Sequence, residues 1–174
     1  YWQAFQAVKQ SIGKVLRGEK AGRVADRDHV AWYRELFGPS VTAGILSAAD
    51  LAGYRNGPVY IRRSMHTPPN IEAVRDLMPA LFELLQQEHE ASVRVVLGHF
   101  MFVYIHPYMD GNGRMGRFLM NLMLASGGYP WTIVPLERRP DYMTGLERAS
   151  IDGDIKPFAR FLAESMNDSV GKPK

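Results

Sequence analysis

The sequence lacks several features that would point directly to a function. It contains no cysteine, which excludes disulfide bonds and thiolate metal sites and fits a reducing compartment, so we expect a cytoplasmic protein. Its longest apolar run, 95–105, is interrupted by Gly98 and His99 and is too short to cross a bilayer. No signal-peptide pattern is present at the start of the sequence. We therefore expect no membrane partner.

Charge of one sign is also scarce. The formal net charge is only +3 at pH 7, and basic residues are adjacent only at 62–63 and 138–139. No basic stripe interleaved with aromatic residues is present, so we expect no nucleic-acid partner. The pattern G-x-x-x-x-G-K-[ST] is absent as well, which excludes a P-loop enzyme. A small phosphate site is still allowed, because it needs only two or three cations.

Most of the chain predicts helices. It has 174 residues, 46% apolar and 22% charged, a balance typical of one globular domain. Apolar residues recur at helical spacing in 2–16 and in 70–85, and 92–105 is apolar almost all round. In 92–105 the β-branched residues would also allow a strand, but the length favours a helix. The predicted helices cover 2–16, 28–37, 70–85, 92–105, 116–126, 142–150 and 155–166. Asp28 is the predicted cap of the second helix and Asn70 that of the third, and we expect Pro79 to kink or split the third helix.

One short stretch predicts β structure. Gly57 and Pro58 precede the strand-like run Val59, Tyr60 and Ile61, and residues 65–66 could return as its partner. The predicted fold class is therefore mainly α with a small β-hairpin.

The most informative stretch is 106–117, which reads HPYMDGNGRMGR and lies where one predicted buried helix ends and another begins. A helix start presents unpaired backbone N–H groups and a positive dipole end, which favour a bound anion. Gly111 and Gly113 would let the backbone approach phosphate oxygens closely. Arg114 and Arg117 are three residues apart and thus on one helix face, where they could contact the same anion.

Two further residues of this stretch carry reactive groups. Asp110 offers a hard oxygen ligand, and Mg²⁺ commonly combines one or two carboxylates with waters and substrate phosphates. A neutral imidazole at His106 could accept the proton of a hydroxyl group at cellular pH. The hydroxyl oxygen could then attack a phosphorus atom. The sequence thus predicts a nucleoside triphosphate, its metal and a base at one site.

Each of these residues also has a structural interpretation. A lone histidine after an apolar helix is more often a hydrogen-bonded structural residue, Asp-Gly and Asn-Gly are common turns, and paired arginines are usually solvated. Their concentration in twelve residues favours function. The spacing Gly111-x-Gly113-x-x-Gly116 matches the dinucleotide fingerprint, but the preceding strand and the βαβ repetition are absent.

The stretch 106–117 resembles the signature of Fic-domain proteins, with Tyr108 in the usual phenylalanine place. The resemblance extends over about 35–166, where GYRNGPVYI at 53–61 is similar to the Fic flap, and GGYP at 127–130 is similar to elements after the signature. It implies a Fic-type helical bundle with a small β-hairpin flap. It further implies a Fic domain at 35–166, an N-terminal helical segment at 1–34 packed on that core, and a flexible tail at 167–174.

The resemblance also implies an activity, namely transfer of AMP from ATP to a Ser, Thr or Tyr hydroxyl of a target protein with release of pyrophosphate. By position it assigns the general base to His106 and the Mg²⁺ ligand to Asp110. It assigns the nucleotide-binding residues Gly111, Asn112, Gly113, Arg114 and Arg117. It implies that Val59, Tyr60 and Ile61 pair with an extended target segment. They could equally be an ordinary hairpin edge, and Tyr142 could border the adenine or be a core tyrosine.

Many Fic proteins carry an inhibitory helix, Ser/Thr-x-x-x-Glu, whose glutamate pairs with the second signature arginine, here Arg117. No glutamate in this sequence follows Ser or Thr at that spacing. Because the chain starts at Tyr1 rather than methionine, we expect that helix upstream in the native chain, or else on a partner. Two alternatives to AMP transfer are removal of AMP from modified proteins and a non-catalytic nucleotide-binding module.

Overall fold

The protein is a helical bundle. A computed structural model describes residues 1–170, in which seven α-helices and two short 3-10 helices, Ala48–Leu51 and Leu136–Arg138, occur. The α-helices are α1 (Trp2–Leu16), α2 (Ala21–Thr42), α3 (Ile71–Gln87), α4 (Ala91–Ile105), α5 (Asn112–Ser126), α6 (Arg139–Ile151) and α7 (Lys156–Val170). The prediction of a mainly α fold is confirmed. No helix of the described residues is long and apolar enough to cross a membrane.

Helices α4 and α5 form the centre of the bundle. α1, α2 and α3 pack on one side of this pair, while α6 and α7 pack on each other and on α4. Gly116 of α5 permits the close approach of α4, because a Cβ atom at this position would lie 2.9 Å from Val103 Cγ1. The loop 106–111 between the two central helices is therefore fixed at both ends by well-packed elements.

The prediction that α2 begins at an Asp28 cap was wrong. α2 begins at Ala21, and Asp28 lies inside it. The Asp28 carboxylate instead accepts hydrogen bonds from Ser11 Oγ and Lys14 Nζ of α1, both at 2.7 Å. Aspartate is common both as a helix cap and as a buried ion-pair partner, so the sequence alone does not distinguish the two roles.

The predicted β-hairpin is not formed, since residues 1–170 contain no strand. Arg63 adopts φ 63°, and the Ser64 N–H donates to the Ile61 carbonyl at 3.1 Å. The chain turns back here, but the Met65 N–H donates to Glu147 Oε1 and the His66 N–H to Ser64 Oγ, so neither pairs with residues 59–61. We call residues 57–69 the covering segment, because they lie over the loop between α4 and α5.

Other predicted helix limits are close to the structure. The Ala73 N–H donates to Asn70 Oδ1 at 2.8 Å, so the Asn70 cap of α3 is confirmed. α3 continues as one helix through Pro79 rather than splitting there. α7 extends through residue 170, past the predicted start of the tail at 167, and residues 171–174 lie outside the described part of the chain.

Candidate active site

A cleft of about 520 Å³ opens between the α4–α5 loop, the covering segment and the start of α6. Nearly every predicted site residue lines it: His106, Asp110, Gly111, Asn112, Gly113, Arg114, Arg117, Tyr142, Tyr60 and Ile61. Val59 is not among the lining residues. The structure thus brings residues from three separate parts of the chain to one cleft.

His106 ends α4 in the left-handed conformation, with φ 53° and ψ 58°. Its ring Nδ1 lies 3.1 Å from the Val103 carbonyl oxygen. A carbonyl oxygen can only accept, so this bond requires the proton on Nδ1. In the neutral ring the Nε2 atom is then the unprotonated nitrogen, which can accept a proton from a bound group.

The surroundings of His106 favour its neutral form. Burial lowers the pKa of the imidazole below its usual value, and the nearby positive charges of Arg55 and His66 lower it further. The bond to Val103 and the Asp110 carboxylate act in the opposite direction without reversing the shift. The ring is thus unprotonated over a wider pH range than a free imidazole.

The start of α5 has the form of an anion site. Gly111 precedes the helix with φ 82°, and the first helical hydrogen bond of the loop runs from the Met115 N–H to the Gly111 carbonyl at 2.9 Å. The N–H groups of residues 112–114 have no acceptor within the helix, as at any helix start. At Gly113 a Cβ atom would contact only Arg117 Nη1, at 3.6 Å, so the backbone is open there.

The Asn112 side chain does not face the cleft as an anion ligand would. It is 2% exposed, its Oδ1 accepts from the Tyr108 N–H at 2.9 Å, and its Nδ2 donates to the Tyr108 carbonyl at 2.7 Å. These paired bonds close the loop 108–112 onto itself. Only the backbone N–H of Asn112 is therefore free to contact an anion, while its side chain holds the loop in shape.

The two signature arginines differ in their surroundings. The Arg114 guanidinium lies over the Phe37 ring, 4.9 Å from its centre, and pairs with Asp110 Oδ2 at 3.1 Å. Arg117 lines the cleft and takes part in none of the ion pairs found within residues 1–170. Arg117 therefore has its charge available for a ligand, and Arg114 has a weak, exposed partner that a ligand could replace.

Asp110 is the carboxylate next to the anion site, and its side chain is 78% exposed. Its Oδ1 accepts from the Gly111 N–H at 2.6 Å. Within residues 1–170 no group of three or more His, Cys, Asp or Glu side chains could enclose a metal ion. A single exposed carboxylate suits Mg²⁺, which takes its other ligands from water and substrate phosphates.

Tyr142 is buried at the edge of the cleft. Its hydroxyl lies 2.9 Å from Nε2 of His99, a fully buried histidine of α4. Burial, with a smaller contribution from the nearby Arg117 charge, lowers the pKa of His99 to about 3, so this ring is neutral. The pair joins α6 to α4 beside the cleft.

Several residues near the site carried no recognisable sequence signal. Arg55 is buried and bonds to the His106 carbonyl, and Glu147 of α6 accepts from Ser64 Oγ and, at 2.6 Å, from the Met65 N–H. His66 bonds through Nε2 to the Tyr104 carbonyl at 2.8 Å. These are contacts between positions 38 to 83 residues apart in sequence, which no local pattern could have predicted.

Tyr108 fills the position below the loop, where its ring stacks on Tyr33 with centres 3.7 Å apart. Its hydroxyl is buried and has no hydrogen-bond partner among the described residues. A buried polar group without a partner costs free energy, so the added hydroxyl is a local defect in an otherwise well-packed contact.

We expect Tyr108→Phe to raise the free energy of unfolding by about 1 kcal/mol, because it removes this unpaired hydroxyl and keeps the ring. Tyr142→Phe is the matched control, since its hydroxyl is paired with His99, and it should lower stability by a similar amount. Urea unfolding of the three proteins measures both effects. A Tyr108→Phe variant less stable than the wild type would contradict the interpretation.

The fold and the cleft together define a helical protein in which an open helix start, of the form that suits an anion, lies beside a neutral histidine. The Fic/DOC family model matches residues 26–124. The chain therefore belongs to the Fic/DOC family.

Similar proteins agree with this assignment. Protein adenylyltransferase Fic of Drosophila virilis is 40% identical over 115 residues, which cover 64% of this chain and 23% of that protein. The Drosophila melanogaster protein of the same name is 39% identical over the same length and share of both chains. The chain thus spans about a quarter of the length of these curated relatives.

Solved structures show the same fold. Fic-1 from C. elegans superposes with a TM-score of 0.78 at 24% identity, covering 97% of this chain and 48% of that one. A Fic domain containing signaling protein from Bacteroides thetaiotaomicron gives a TM-score of 0.72 at 18% identity, covering 97% and 69%.

Proposed function

We propose that this protein is an adenylyltransferase that transfers AMP from ATP to a Ser, Thr or Tyr hydroxyl of a target protein and releases pyrophosphate. The observation that carries the proposal is that His106 Nε2, the unprotonated ring nitrogen, lies in the same cleft as the start of α5 and its arginines. The relatives from Drosophila virilis and Drosophila melanogaster are named protein adenylyltransferase Fic, which supports the same reaction.

The α5 start and the two arginines bind the triphosphate. The N–H groups of residues 112–114 donate to phosphate oxygens, and Arg114 and Arg117 neutralise the outer phosphates. Tyr142 is buried on the far side of the cleft and would border the adenine. These contacts orient the α-phosphorus towards His106, so that the reaction becomes effectively intramolecular.

In the transfer step, His106 Nε2 accepts the proton of the target hydroxyl. The hydroxyl oxygen forms a bond to the α-phosphorus, and the bond from this phosphorus to the bridging oxygen of pyrophosphate breaks. The anion site then holds the charge of the leaving pyrophosphate. The products are the AMP-modified target and pyrophosphate, and the proton on His106 returns to solvent.

Asp110 would hold Mg²⁺, because its exposed carboxylate lies next to the phosphate-binding helix start. When bound, the ion would neutralise phosphate charge. Arg114 is poised to leave Asp110 for the phosphates, since their mutual ion pair is exposed and weak.

The covering segment would bind the target. Tyr60 is 85% exposed beside the cleft, and the backbone of 59–61 forms no strand in this structure. We propose that these residues pair with an extended target segment by strand addition, which would supply a partner strand that residues 1–170 do not contain. An inhibitory glutamate upstream or on a partner would contact Arg117. A cytoplasmic location stays a prediction from the sequence.

The test compares two positions of label in ATP. The protein is incubated with Mg²⁺, a cell lysate and ATP labelled at either the α- or the γ-phosphorus. AMP transfer predicts labelled protein bands with the α-label and none with the γ-label. Bands with the γ-label would instead indicate phosphoryl transfer, and no bands with either label, at full nucleotide binding, would favour a non-catalytic module.

The low pKa of His106 predicts the pH dependence. The base must be unprotonated, and its pKa lies below the ordinary value of 6.5. We therefore expect the acid limb of kcat/KM to have its midpoint below pH 6.5, so that more than half of the activity is retained at pH 6.5 and the rest is lost on further acidification. Initial rates between pH 5 and 8 measure this. A midpoint at or above 6.5 in a folded sample would contradict it.

A further inference from the structure

Arg55 is an unusual buried cation. It is 5% exposed, and it takes part in none of the ion pairs of residues 1–170. An arginine is rarely buried without an acidic partner, because its charge loses its hydration. Within residues 1–170 the guanidinium donates only to neutral carbonyl oxygens, so the residues that carry those carbonyls indicate what Arg55 holds in place.

The first carbonyl belongs to His106, whose oxygen accepts from Arg55 Nε at 2.8 Å. His106 has φ 53°, a conformation that residues other than glycine rarely adopt and that persists only where neighbours hold it. The backbone N–H of Arg55 also donates to the Pro107 carbonyl at 2.8 Å. Arg55 therefore holds the peptide group that follows His106 and the one that follows Pro107, and these fix the backbone on the carboxyl side of His106.

The other carbonyls belong to the two ends of the covering segment. Arg55 Nη1 donates to the Gly57 oxygen at 3.1 Å, and Nη2 donates to the Pro69 oxygen. The planar fork of a guanidinium can bond to several acceptors in fixed directions, which a lysine ammonium cannot do. One side chain thus joins the start of the covering segment, its end and the loop that carries His106.

We propose that Arg55 is a positioning residue of the transfer reaction: it holds His106 in its left-handed conformation and ties the covering segment to the same loop. The inference rests on the proposed function and adds a residue outside the 106–117 stretch. The guanidinium of Arg55 then fixes the position of the proposed base, His106, relative to the covering segment. Loss of the guanidinium should misplace the base without disturbing the triphosphate site on α5.

The experiment uses two variants and a control. Arg55→Met removes the charge and the fork, Arg55→Lys keeps the charge alone, and Arg75→Met, at an exposed site on α3, is the matched control. Thermal unfolding establishes that each variant is folded at the assay temperature. Histidine labelled with a nitrogen isotope then reports the ring of His106 by NMR, assigned by its loss in His106→Ala.

We expect the Nδ1–H signal of His106 to be lost or broadened in Arg55→Met, while the ring signals of the buried His29 and His99 are unchanged. The transfer rate should fall about 100-fold in Arg55→Met, because small displacements of reacting groups are costly, and less in Arg55→Lys. ATP affinity, measured by calorimetry, should stay within about twofold of the wild type, since the contacts that bind the nucleotide do not involve Arg55. Arg75→Met should equal the wild type in every measurement.

A folded Arg55→Met variant with unchanged His106 signals, or with a wild-type transfer rate, would overturn the proposal. Equal losses of rate and ATP affinity would also overturn it, because they indicate a general structural role. A wild-type protein that labels no target would remove the proposed function. The ring signals would still decide, independently, whether Arg55 positions His106.

Discussion

His106→Ala is expected to lower the rate of AMP transfer by about 10²- to 10⁴-fold, the range typical for loss of a general base. The reason is the placement of Nε2, which is unprotonated because Nδ1 is bound to the Val103 carbonyl. The measurement is the initial rate of label transfer from α-labelled ATP. ATP binding should change little, because the phosphates contact α5 and not the imidazole.

The left-handed backbone at position 106 requires a careful control. Asparagine tolerates this conformation better than alanine and cannot act as the base, so His106→Asn should lose the same activity with less effect on folding. His89→Ala, at an exposed position between α3 and α4, controls for loss of a histidine and should be fully active. Activity in His106→Asn within about tenfold of the wild type would remove His106 from the mechanism.

Gly111→Ala is expected to lower the free energy of unfolding by about 2 to 5 kcal/mol, from left-handed strain together with overpacking. The backbone at Gly111 has φ 82°, and a Cβ atom would lie 2.7 Å from Cε2 of the Phe37 ring. Phe37 is buried, so the ring cannot move into solvent. The loop would have to shift, and with it the helix start that we propose as the phosphate site, so we also expect ATP affinity to fall strongly.

Gly113→Ala is the matched control, because Gly113 lies only two residues after Gly111. Gly113 has no positive φ, lies inside α5 and has open space at the Cβ position. The substitution should leave stability unchanged or raise it by up to about 1 kcal/mol, as replacement of a helical glycine usually does. Urea unfolding separates the two outcomes. Equal stability of both variants would show that the packing of Phe37 does not constrain the loop.

These two glycines illustrate how the site depends on tertiary packing. Helix α2 provides the floor below the loop through Tyr33, which stacks on Tyr108, and Phe37, which lies under Gly111 and Arg114. Both aromatic residues were predicted only as part of a helix from 28 to 37. Their contacts with the loop depend on how α2 packs against α5, and this packing exists only in the folded bundle.

Local sequence accounts for much of this protein. Periodic apolar residues predicted α1 and α3, since a helix that must bury one face repeats its apolar residues at a fixed interval. Continuously apolar stretches predicted α4 and α5, and the end of the sequence was predicted as two further helices, which are α6 and α7. The stretch 106–117 predicted the phosphate and base residues, because a helix start binds anions through its own backbone and needs no distant partner. Nearly all of those residues line one cleft in the structure.

The sequence by itself therefore determined the helical class, the family and the chemical groups of the site, because each of these is encoded within a few turns of chain. Only the tertiary structure decided the form of the covering segment, the buried setting of Arg55 and the unpaired hydroxyl of Tyr108. A strand needs a partner, and a buried arginine needs acceptors, so both depend on residues far away in sequence. The carbonyls that Arg55 contacts belong to positions 2, 14 and 51 residues away, a set that comes together only when the bundle has formed.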